Sequence, residues 1–147
     1  MTNKLPVISF VALIFLIISP LINISLYAQN SGNDLKADQE KFWIEYAAAL
    51  RKIKAESDDH KAALMVQQLK QEYIPRMQVL VKEAKDWKKL HSVAEKKAME
   101  EWSEKNIHGN EAGSLQTDLM IRAGKGGEFG KAYGDYMQSL VTAGKQG

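Results

Sequence analysis

The chain has 147 residues, a formal net charge of +2 and no cysteine. A near-balanced charge gives no field that would gather nucleic acid. The missing thiols exclude disulfides, a thiolate nucleophile, a thiolate zinc site, haem attached through Cys-x-x-Cys-His and a lipid-modified cysteine behind a signal.

Residues 1–28 differ in kind from the rest. Lys4 is their one charge, and Val7 to Tyr27 is almost wholly apolar. A basic start, an apolar run and a small residue at Ala28 describe an export signal removed before Gln29. The run also approaches the roughly 20 residues that span a bilayer, so an uncleaved anchor is the alternative. Either form places residues 29–147 outside the cytoplasmic membrane, in the periplasm or beyond, with the N-terminus inside. That mature part has 119 residues, 19 of them Lys or Arg and 18 Asp or Glu. Its length suits one domain with one core.

After a flexible lead over 29–34, the pattern predicts helix almost throughout 35–143, with 144–147 as a frayed end. Pro75 is the only proline beyond the signal, and no stretch alternates apolar and polar residues as a half-buried strand does. The first helix is expected over 35–55, capped by Asn33 or Asp34, with Leu35, Phe42, Tyr46, Ala49, Leu50 and Ile53 on its inner face. The second is expected over 60–90 behind an Asp58 or Asp59 cap. Its stripe, Met65, Leu69, Tyr73, Met77, Leu80, Ala84 and Trp87, crosses Pro75, which predicts a kink and not a stop. Ser92-Val-Ala-Glu95 matches a capping box and predicts a break before a third helix over 93–106, with Ala94, Ala98 and Trp102 inward. The stretch NIHGNEAGS reads as a loop, followed by a short helix that Ser114 caps. A last helix over 128–143 carries Phe129, Tyr133, Met137, Leu140 and Val141 on one side. The expected fold is all-α, an antiparallel bundle of four to five helices with a long N-terminal hairpin over 35–91.

RAGKGGEFGKAYGDY, residues 122–136, is the most unusual stretch. A P-loop needs Gly-x-x-x-x-Gly-Lys-Ser/Thr after a strand, and here Gly126 follows Lys125 with no strand before it. A helix ending at Gly124 in the left-handed conformation fits better. Gly126, Gly130 and Gly134, spaced by four, form one helical stripe beside Phe129, Tyr133 and Tyr136. Glycine lets another backbone approach, either within the domain or from a partner. This face is the candidate partner-binding surface.

Two weaker candidates remain. Lys82, Lys85, Lys88 and Lys89 form a basic patch for an acidic partner, or else a solvated face. Asp58, Asp59 and His60 bring together groups that ligate hard metals, though helix capping already accounts for the aspartates. No cofactor motif and no organised nucleophile–base pair stands in the chain. The functional expectation is therefore an exported, non-enzymatic interaction protein or accessory subunit. Its partner would be another exported protein or a second copy, not nucleic acid, with the membrane touched only through an uncleaved N-terminal segment. The alternative is a carrier of a small ligand or metal in the bundle core.

Overall fold

A computed structural model of the chain describes residues 32–146. Residues 1–31, with the export segment and most of the lead, lie outside the described residues. Five helices follow one another: α1 Gly32–Ala55, α2 Asp59–Leu90, α3 Val93–Glu104, α4 Ile107–Ala123 and α5 Gly127–Gln146. Among the described residues there is no strand, and no helix is long and apolar enough to cross a membrane.

α1 starts before the expected cap. Asn33 and Asp34 lie in its first turn, where the acid faces the positive end of the helix dipole. Asp58 does cap α2, accepting from the Lys61 N–H at 2.9 Å. That bond holds its carboxyl below the usual range. α2 runs through Pro75 without interruption. Pro75 and Gln71, whose carbonyl loses its donor, are both exposed, so water can take that bond. The break after Leu90 is real. The Ser92–Glu95 capping box is complete in both directions, and the Ser92 hydroxyl and N–H hold the Glu95 carboxyl below its usual range.

α3 buries Met99 and Ser103 and leaves Ala94 and Ala98 exposed. The expected inner face is thus wrong at two of three positions, with Trp102 half-buried. The larger correction concerns NIHGNEAGS, which is the first half of α4. Asn106 caps that helix by accepting from the Gly109 N–H at 2.7 Å, and its amide donates to Glu40. Ser114 is an exposed mid-helix residue. Gly109 and Gly113 are buried, and a Cβ on Gly109 would lie 3.7 Å from the Trp43 ring. Both glycines are buried helical positions, not loop.

The packing joins two hairpins. α1 and α2 run antiparallel, since Glu45 pairs with Arg76 while Leu35 packs near Trp87. α4 and α5 turn back on each other through residues 124–126. Between the hairpins, neighbours run the same way. Glu40, Arg51 and Lys54 of α1 meet Asn106, Glu111 and Asp118 of α4 in that order. His60 and Lys70 of α2 meet Glu128 and Asp135 of α5. The bundle is therefore antiparallel within each hairpin and parallel between them. α3 is the connector that carries the chain from the end of α2 back to the start of α4.

Candidate functional site

The four long helices enclose an aromatic core. Phe42 and Tyr46 stack at 5.5 Å between centroids, with Tyr73 against both. Tyr46 and Tyr136 share a hydrogen bond across the bundle, and the Gln116 amide donates to the Tyr46 oxygen at 2.6 Å. The Tyr133 hydroxyl donates to the Gln116 carbonyl at 3.0 Å. Every helix of the two hairpins reaches this network: α1 and α5 with hydroxyls, α4 with Gln116, and α2 through the Tyr73 ring beside Tyr46. Burial raises the pKa of Tyr46, Tyr133 and Tyr136, and the neighbouring tyrosines add to it for Tyr46 and Tyr133. These hydroxyls stay protonated at neutral pH and serve as hydrogen-bond partners for one another.

The expected partner face is distributed between this core and the turn. Phe129, Tyr133 and Tyr136 are at most 1% exposed, so they pack the interior and offer no surface to a partner. Gly126 lies in the α4–α5 turn and not on the helical stripe. Gly124 is right-handed at φ −62°, and the left-handed residues are Gly126 at +85° and Gly127 at +76°. The chain needs two such residues to reverse here, which displaces the expected glycine cap by two positions. Gly130 has a distinct reason: a Cβ there would lie 2.7 Å from the Ala123 carbonyl oxygen, so only glycine lets α5 cross the last turn of α4. Around Gly134 nothing lies within 4 Å of an added Cβ, and the position is exposed.

The residues considered for metal have separate occupations. Asp58 caps α2, Asp59 pairs with Arg122 at 2.6 Å, and His60 faces Glu128 at 2.8 Å. Among the described residues no three His, Asp or Glu side chains are grouped to hold an ion. The histidines do not meet: His60 is at this turn, His91 caps α2 at the opposite end, and His108 stands between Glu40 and Glu111. Arg122, which the sequence reading passed over, ties the turn end together. It donates to the carbonyls of Glu56 at 2.6 Å and Ile53 at 3.4 Å and lies over the Phe129 ring at 4.4 Å. It thus caps the end of α1, chiefly through the Glu56 carbonyl.

The basic patch is interleaved with acids. Lys82 and Lys89 both reach Asp86, at 3.5 and 2.9 Å, and Lys88 turns to Glu100 of α3. The Lys89 hydrogen bond holds the Asp86 carboxyl below its usual range. Beside this patch, at the end of the α1–α2 hairpin away from its turn, is an open cleft of about 180 Å³. Leu35, Trp87 and Leu90 supply its apolar lining, Asp38, Glu83 and Asp86 its acids, and His91 completes it. The His91 ring stacks on Trp87 at 4.0 Å, and its Nδ1 donates to the Trp87 carbonyl at 2.7 Å. The Trp87 indole N–H is buried without a hydrogen-bond partner among the described residues. Asp38 and Glu83 make no ion pair among the described residues. No linear motif announces this cleft, because it joins residues about fifty positions apart.

Comparison of the chain with protein families, with curated proteins and with solved structures finds no match.

Proposed function

We propose that this chain is an exported, non-enzymatic interaction protein, an accessory subunit that binds another envelope protein at the open end of its α1–α2 hairpin. The cleft carries this reading. An apolar floor of Leu35, Trp87 and Leu90 beside the carboxylates of Asp38 and Glu83 is the complement of an apolar side chain next to a basic one. The apolar run over residues 7–27 supports export.

The test is native mass spectrometry of the full chain expressed in its host and gently purified from the envelope, with the charge reversals Asp38→Lys and Glu83→Lys alongside. Helical circular dichroism checks that the variants fold. The wild type is expected to carry a second protein, and the reversals to weaken that complex about tenfold or more. Equal retention by the variants removes the cleft from the interface. A lone chain with an added small mass replaces this reading with a ligand carrier.

A further inference from the structure

The corner where α2 meets α3 combines features that the interior does not use. Leu90 and Val93 are exposed, Val93 at 82%. Residues 85–97 hold five lysines against two acids, an excess of +3. The lysine pairs at the corner are with exposed acids, such as Lys89 with Asp86 and Lys97 with Glu101 at 4.0 Å. Such pairs are weak and exchange readily for another anion. The α1–α2 turn carries less charge: residues 51–63 hold four Lys or Arg against three acids, an excess of +1.

The corner also lies where the chain enters the bundle. Leu35, in the first turns of α1, shares a packed cluster with Trp87 and Met99, and the Lys36 ammonium lies 5.8 Å from the Trp102 ring centre. The apolar run ends at Tyr27, five residues before Gly32. Five residues span about 17 Å at most. Kept as an uncleaved anchor, that run holds this end of the bundle close to the membrane surface.

We propose that the α2–α3 corner docks on an anionic lipid surface, with Val93 in the headgroup layer and Lys85, Lys89, Lys96 and Lys97 beside lipid phosphates. Apolar side chains within a ring of lysines bind such surfaces by joining area burial to charge attraction. This rests on the reading that residues 7–27 stay in the chain as an anchor, and it adds a second contact, made by the folded part. It sets the neighbouring cleft at the height of the membrane surface.

Because the chain has no cysteine, single labels report cleanly. Val93→Cys and Ser57→Cys, one at the corner and one at the exposed turn, are labelled with an environment-sensitive fluorophore in the full chain. Each is incorporated into phosphatidylcholine vesicles with and without phosphatidylglycerol, all carrying brominated acyl chains as quencher. The label at 93 is expected to be quenched several-fold more than that at 57. The difference should shrink without phosphatidylglycerol and in a background with Lys85, Lys89, Lys96 and Lys97 all changed to Gln. If the chain floats with the vesicles but both labels are quenched equally, the membrane reading stands and the docking is overturned. If the chain does not float, both fall. Shielding of position 93 by added envelope proteins, and not by lipid, assigns the corner to a protein and overturns the proposal.

Discussion

The two ends of this bundle are built on different principles. At the turn end, Arg122 gathers the end of α1, the start of α2 and the first ring of α5, and Gly130 brings α5 against the Ala123 carbonyl. The core that begins there is continuous and aromatic, and its hydroxyls close on one another. At the other end, α3 rests on a separate small cluster of Leu35, Ala84, Trp87 and Met99. There the tryptophan N–H lacks a partner among the described residues, a cleft opens, and apolar residues face outward. A closed end with satisfied polar groups supplies stability. An end with open polar and apolar groups is where binding can be gained, because contact there removes an existing cost.

Substitutions that sample both clusters break or sharpen this contrast. Tyr46→Ala removes a fully buried ring and leaves Gln116 and Tyr136 without their shared partner, so it is expected to cost about 3–5 kcal/mol in urea unfolding. Met99→Ala, in the small cluster, is expected to cost about 2 kcal/mol, the low end for a buried methionine, and to leave the core transition intact. Equal costs would mean that the two clusters form one cooperative core.

Alkaline titration probes the closed core alone. Tyr46, Tyr133 and Tyr136 have raised pKa values in the folded chain, so the native state retains protons that the unfolded chain gives up near the ordinary tyrosine value of 10.0. Stability from these groups is complete below that pH and is lost as pH rises above it. Their tyrosinate absorbance is expected to appear together with loss of helix. Ionisation of all three in a chain that stays helical would show that water reaches them.

The glycines give the smallest and most local effect. Gly134→Ala, in open space on α5, is expected to stabilise by up to about 1 kcal/mol through helix propensity. Gly130→Ala meets backbone at 2.7 Å and is expected to destabilise by about 1–3 kcal/mol. The same sign at both positions would refute the close crossing of α4 and α5.

Much of this fold is written in local sequence. Period-3.6 apolar spacing located α1, α2 and α5, and Asp58 and the Ser92–Glu95 box marked two helix starts, because those signals act within one or two turns. The first half of α4 was missed because glycine means loop when read locally. Here Gly109 and Gly113 are buried helical positions, Gly109 beside Trp43 of α1, which only the fold supplies. The inner face of α3 was misread for a related reason: a short connector packs on whatever lies beneath it, here Leu35 and Trp87. Phe129, Tyr133 and Tyr136 looked available for binding because their burial comes from α1, α2 and α4. The cleft could not be read at all, since Leu35 and Asp38 join residues 83–91 only through the hairpin.

Hydrogen exchange followed residue by residue on the full chain tests the contrast between the ends most directly. A 12-residue helix is marginal alone, and α3 buries only Met99 and Ser103. The account predicts that amides of 95–104 exchange well ahead of those at the centres of α1, α2, α4 and α5, which should open together. Protection of α3 equal to that of the four core helices would contradict it.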